Sequence, residues 1–136
     1  MLDSDALIFD DEVTAMANIF VFGSNKLGIH GAGAAKIAHC DFGAVYGVGE
    51  GLRGTSYAIP TKKTPYVALP IEDVRAAVER FIAFAREHPE LEFQLTRIGC
   101  GLAGFTDAEI APLFRDIPAN VHAPETWRSW LLHEVR

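Results

Sequence analysis

Ile98-Gly99-Cys100-Gly101-Leu102-Ala103-Gly104 is a loop of small residues between two patterned segments, and its reading decides the fold. Upstream, residues 92–98 set Phe93, Leu95 and Ile98 among polar neighbours, which predicts a strand of mixed exposure. Downstream, Thr106-Asp107-Ala108-Glu109 reads as a capping box, in which the threonine hydroxyl and the glutamate carboxylate satisfy each other's backbone N–H. A strand that stops, a loop without bulky side chains and a capped helix together present N–H groups at a positive helix end. That is a ready site for phosphate.

The same loop matches GxGxxG, the dinucleotide fingerprint. A Rossmann unit also wants an acidic residue about 20 positions further on, at the end of the next strand, to hold a ribose. Here the next strand candidate, residues 119–122, runs into Ala123 and Pro124, and the nearest acid, Glu125, lies beyond the proline. Too little chain follows the loop for a doubly wound sheet. These departures count against a dinucleotide-dependent enzyme.

A second loop of the same kind lies earlier. Residues 17–22 form a short, nearly continuous apolar run suited to a strand buried on both faces. The run stops at Gly23-Ser24-Asn25; Gly28, Gly31 and Gly33 follow, and residues 32–38 read as an alanine-rich helix. Small residues at Gly31, Ala32 and Gly33 leave the start of that helix bare, so a phosphate can approach the backbone closely. Ser24, Asn25 and His30 cluster at the strand end and are read as functional, because packing alone does not call for polar groups there.

Composition bounds the function. The 136 residues suit one domain, with 1–16 as an N-terminal tail or edge strand and 17–136 as the domain itself. A net charge of −6 argues against broad nucleic-acid binding, so an anionic ligand has to be held by a local pocket. Cys40 and Cys100 make no disulfide framework, and neither they nor the scattered histidines show metal-ligand spacing. No signal peptide or membrane-length apolar run is present, which gives a cytoplasmic expectation with no membrane partner. Neither a cofactor nor a metal is expected.

Between the loops, residues 43–54 carry five glycines with Glu50 and Arg53, and read as an irregular loop or ragged hairpin able to wall a pocket. Residues 55–59 are a strand candidate closed by Pro60-Thr61-Lys62-Lys63, which puts a lysine where a parallel sheet places its site. Residues 71–88 are the clearest helix: Ile71, Val74, Val78, Phe81, Ile82 and Ala85 make one apolar stripe, with Pro70 at the start and Pro89 at the stop. Beyond the glycine loop, Ile110, Leu113 and Phe114 give the capped helix a buried face, and Pro124 opens a last helix through Trp127, Trp130 and Leu131. Alternating strands and helices predict an α/β fold with a mixed, mainly parallel sheet and both glycine loops on one edge, facing one crevice.

Four blocks carry a resemblance. Phe22-Gly23-Ser24-Asn25, Gly31-Ala32-Gly33-Ala34-Ala35, Tyr57-Ala58-Ile59-Pro60-Thr61-Lys62 and Arg97-Ile98-Gly99-Cys100-Gly101-Leu102-Ala103-Gly104 resemble a family of small phage and bacterial proteins related to macro domains. They span roughly residues 17–123, in the family's order. The resemblance implies a macro domain-like three-layer sandwich that binds ADP-ribose or an ADP-ribosylated substrate. One glycine-rich loop would lie at each side of the diphosphate, drawing on Gly31, Ala32, Gly33, Gly99, Cys100, Gly101, Leu102, Ala103 and Gly104. Ser24, His30 and Thr61 would line the ligand, and Asn25 would lie near the distal ribose. Within the macro domains the blocks are most similar to the class that removes terminal ADP-ribose from acidic side chains. That similarity implies a hydrolase with Lys62 as the nucleophile at the anomeric carbon. The assisting aspartate of that class is replaced here by Ala103. Asp107 or Glu50 is the substitute acid that hydrolysis would need, and Lys62 would need its neutral amine. A non-catalytic reader or sponge for ADP-ribose is the alternative that Ala103 favours. Cys100 is read as a small buried thiol rather than a nucleophile, with no histidine tied to it.

Overall fold

The computed structural model describes residues 18–131; the proposed tail or edge strand at 1–16 lies outside them. Among these residues six strands form one sheet. They are β1 (Asn18–Asn25), β2 (Gly51–Arg53), β3 (Ser56–Thr64), β4 (Val67–Ala68), β5 (Glu92–Leu95) and β6 (Val121–His122). The order is β2-β3-β1-β5-β6, with β4 on β3. β1 pairs in parallel with both β3 and β5, and β5 with β6, whereas β2 and β4 run antiparallel to β3. The helices are α1 (Gly33–Asp41), α2 (Ile71–Glu87), α3 (Asp107–Ile110) and α4 (Arg128–Leu131), joined by 3-10 turns at Ala111–Phe114 and Glu125–Trp127.

Alternation along the central strands makes the three layers. Ile19 and Val21 of β1, with Tyr57 and Ile59 of β3, face α2 and the C-terminal turns in the larger core. Phe22 and Ala58 face the other way, against Ala35 and Ala38 of α1. A strand covered on both faces needs apolar residues at successive positions, which is why residues 19–22 lack a polar face. The alanines of α1 let it lie close on the sheet, and this second core is small. The α2 stripe is buried at Val74, Val78, Phe81, Ile82 and Ala85, with Ala77 added. Burying each of the larger side chains contributes about 1.5–3 kcal/mol as an upper figure. Pro70 caps α2 from just outside.

Several boundaries differ from the expectation. β1 runs on through Gly23 and Ser24 to Asn25, because β3 continues beside it: Ser24 pairs Pro60, and after a register shift Asn25 pairs Lys62. Residues 60–63 are therefore strand rather than turn. Pro60 falls in the gap between the β2 and β4 pairings, where a missing N–H is tolerated. Part of the glycine-rich segment forms β2, a hairpin partner of β3. β5 stops at Leu95, and Thr96 spends both its N–H and its hydroxyl on Val21 O, at 3.1 and 2.7 Å. The Thr106 capping box is present, but α3 is only four residues long and continues as a 3-10 turn, since Pro112 has no N–H for an α-helical bond. The last strand is shorter than expected, and the final helix opens as a 3-10 turn. Trp127 there is fully buried and stacks on Phe114, and Trp130 packs partly buried against the same core.

Candidate functional site

β1, β3 and β5 are mutually parallel, so their C-terminal ends leave the sheet on one edge. There Gly23, Ser24 and Asn25 from β1, Thr61 and Lys62 from β3, and residues 96–99 after β5 line a crevice of ≈ 880 Å³. Gly31, Ala32 and Gly33 form one wall, and Gly101, Leu102 and Ala103 the facing one. The second wall reaches the first: Leu102 Cδ1 lies 3.6 Å from where a Cβ on Gly33 would stand. The N–H groups of Gly31, Ala32, Gly101, Leu102 and Ala103 have no hydrogen-bond partner among the described residues. The facing wall thus offers its own loop amides, and the four-residue α3 adds little dipole to them.

The charge pattern of the crevice opposes that of the chain. Net charge is −6, yet the charged residues among those lining the crevice are Lys62 and Arg97, with no carboxylate and no histidine. Amides, the cation of Lys62 and the guanidinium of Arg97 suit an anionic ligand.

The polar cluster at the end of β1 makes hydrogen bonds to backbone in and beside the crevice. Ser24, 1% exposed, donates to Gly49 O, and Thr61 Oγ1 donates to Ser24 O at 3.3 Å. The Asn25 carboxamide closes the turn that follows: Nδ2 donates to Ile29 O at 2.9 Å, and Oδ1 accepts from Ile29 N at 3.2 Å. His30 is buried at 1% exposure, with Nε2 3.0 Å from Val45 O and its ring edge-on to Phe22. It does not line the crevice. These bonds satisfy backbone groups at a strand end, while His30 Nδ1 is buried with no partner among the described residues. Lys62 Nζ donates to Pro65 O at 3.1 Å, on the wall of the crevice.

Asp107, Cys100 and Gly104 are not among the residues that line the crevice. Gly104 N–H donates to Gly101 O at 3.0 Å and closes the loop. Asp107 takes Arg97 in a fork, Nε to Oδ1 at 3.0 Å and Nη2 to Oδ2 at 2.8 Å, and accepts from Trp127 Nε1 at 2.6 Å. The Arg97 guanidinium, then the Trp127 N–H, hold its carboxyl down at about 2, so it is ionised at neutral pH and has no proton to donate. Burial, with the Asp107 carboxylate beside it, pushes the Cys100 thiol up to about 11, which leaves it inert. Glu50 is held by Arg80 through two bonds of 2.7 and 3.0 Å, and is not among the crevice residues.

Asp107 gives a pH prediction. Its folded pKa is depressed from the ordinary 3.8, so the stabilisation it brings is complete above that value and fades as pH falls toward 2. The melting-temperature gap between wild type and Asp107→Asn is therefore expected to hold from neutral pH down to about 4 and to narrow between about 4 and 2. Taking the gap cancels the other carboxylates; a gap independent of pH would sink this account.

Sequence reasoning missed Arg97, Thr96, Pro65 and Tyr66 as lining residues. Arg97 stands two positions before Gly99, the first glycine of the loop, a cation beside a phosphate-binding pattern and so legible in the sequence. Pro65 and Tyr66 enter only through the β3–β4 hairpin, and Tyr66 is 92% exposed.

No family model matches the chain, and no curated protein matches it. Among solved structures the chain is similar to Thermosipho africanus DarTG in complex with ADP-ribose, with a TM-score of 0.57 and 17% identity. The match covers 83% of this chain and 39% of that one, so the chain spans well under half that protein's length. The fold is macro domain-like. At this identity the likeness concerns the sandwich and its sheet rather than the chemistry of the crevice. No helix among the described residues is long and apolar enough to cross a membrane.

Proposed function

We propose that the crevice binds ADP-ribose or the ADP-ribosyl part of a modified substrate. The observation that carries this reading is the pair of glycine loops on one edge of a parallel sheet, with unpartnered amides on both walls of a crevice whose charged lining is Lys62 and Arg97. A diphosphate between the loops would take the N–H groups of Gly31 and Ala32 on one side and of Gly101, Leu102 and Ala103 on the other. The terminal ribose would then lie toward Asn25 and Lys62. The macro domain-like fold, and a similar structure that holds ADP-ribose, support the choice of ligand.

Calorimetric titration with ADP-ribose tests it, with AMP and NAD as controls. Micromolar binding of ADP-ribose, tighter than AMP and NAD, is expected. Loss of all three would overturn the reading, and a preference for NAD would favour a dinucleotide enzyme.

Hydrolysis is a second reading, favoured by the place of Lys62. Its neutral amine would attack the anomeric carbon, the carried group would leave with the bonding electron pair, and water would release ADP-ribose from the lysine. No lining carboxylate supplies acid or base help, so binding without turnover remains the better supported function. If hydrolysis occurs, Lys62→Ala is expected still to bind ADP-ribose, about tenfold or more weakly than wild type through the loss of one charged contact, and to release none from a modified protein. Wild type that binds an ADP-ribosylated protein and leaves it intact would decide for a reader or sponge.

A further inference from the structure

The second wall is held by a line of hydrogen bonds that begins in the core. Trp127, 0% exposed and stacked on Phe114 at 5.5 Å, donates its indole N–H to Asp107. Asp107 grips Arg97 by Nε and Nη2, which leaves Nη1 with no partner among the described residues. Arg97 lines the crevice, with about half its side chain exposed, one residue before Ile98 leads into the loop amides. An exposed ion pair in isolation contributes little. Here one carboxylate is fixed from behind by a buried tryptophan, so the guanidinium plane has little freedom. A fork already gripped along one edge presents its remaining N–H groups in a set direction, the arrangement that suits a phosphate oxygen.

We propose that Arg97 is an anion-binding residue of this crevice, contacting a ligand phosphate through Nη1, and that Asp107 and Trp127 are positioning residues that aim it. This rests on the crevice being a nucleotide-diphosphate site and adds to it a cation outside the two glycine loops. Asp107 then serves the site through Arg97, never touching the ribose.

The test titrates inorganic pyrophosphate and ADP-ribose into wild type, Arg97→Gln, Arg97→Lys and Trp127→Phe at low and high salt, with melting temperatures alongside. Arg97→Gln is expected to weaken both ligands by about tenfold or more, the loss of one charge-assisted contact, and to flatten the salt dependence. Arg97→Lys keeps the charge and loses the fork, so its salt dependence stays and its affinity falls. Trp127→Phe keeps a ring against Phe114 but loses the indole N–H and part of the buried packing, so it is expected to lower the melting temperature and to weaken binding several-fold while the salt dependence of binding stays. These two variants carry the test if Arg97→Gln fails to fold. An Arg97→Gln protein that binds pyrophosphate like wild type, or loses affinity at an unaltered salt dependence, overturns the proposal. Wild type that binds pyrophosphate but not ADP-ribose, with binding lost in Arg97→Gln, supports the anion role of Arg97 and overturns the ADP-ribose reading. Binding of neither overturns both.

Discussion

Gly49→Ala is expected to lower the melting temperature by roughly 10 °C, an overpacking cost of about 3 kcal/mol in a chain of this size. A Cβ at Gly49 would stand 2.3 Å from Asn25 O and 2.9 Å from Lys26 O, both backbone atoms that cannot swing aside. The segment is anchored there from several sides. Ser24 donates to Gly49 O, Gly28 N to Asn25 O at 2.9 Å, Gly47 N to Gly28 O at 3.0 Å, and Lys26 N to Lys62 O at 2.9 Å. Any shift that relieves the clash therefore pulls on the end of β1 and on the crevice floor. Gly28→Ala is expected to match it: its Cβ would lie 2.3 Å from Val48 N, at a φ of 71° that side-chain-bearing residues avoid. Thermal denaturation followed by circular dichroism measures both. Melting within about 2 °C of wild type, the shift of well under 1 kcal/mol, would mean that the two loops do not interlock.

The largest effect on ligand binding belongs to Gly101→Asp. At Gly101 a Cβ meets nothing within 4 Å, and no positive φ is imposed, so the variant is expected to fold with an unchanged melting temperature. Its carboxylate would stand among the free amides of the second loop. Two unit charges about 4 Å apart repel by about 4 kcal/mol at an effective dielectric constant of 20. Even half of that lowers affinity for a diphosphate by about 30-fold, and the full figure by nearly a thousandfold. Gly31→Asp, equally open and on the opposite wall, is expected to do the same, while Gly101→Ala changes little. Gly33 is a poorer place for this test, since its φ of 61° adds strain to any side chain. Titration with ADP-ribose reads the result, and unchanged affinity in Gly101→Asp would move the diphosphate off this loop.

Local patterns carried much of the architecture. The both-faces apolar run of β1, the stripe of α2 and the Thr106-Glu109 box each describe interactions within a few residues, or a single face, and such features are written in neighbouring positions. The edge on which the two glycine loops meet followed as well, because parallel strands oblige their C-terminal ends to lie together.

What needed the tertiary structure was the partner of each polar group. Nothing in sequence reveals that Gly49, Ile29 and Val45 bring carbonyls to Ser24, Asn25 and His30, or that His30 stands off the crevice while Ser24 and Asn25 line it. Asp107 looked like a substitute acid until Arg97 and Trp127, 10 and 20 residues away, were found on its oxygens. Glu50 likewise proved to belong to Arg80, across 30 residues. The sequence by itself determined the layers, the parallel strands and the glycine loops, because periodicity and small residues act locally. Only the fold decided which charges face the crevice and which are neutralised behind it, because a hydrogen-bond partner is chosen by distance in space.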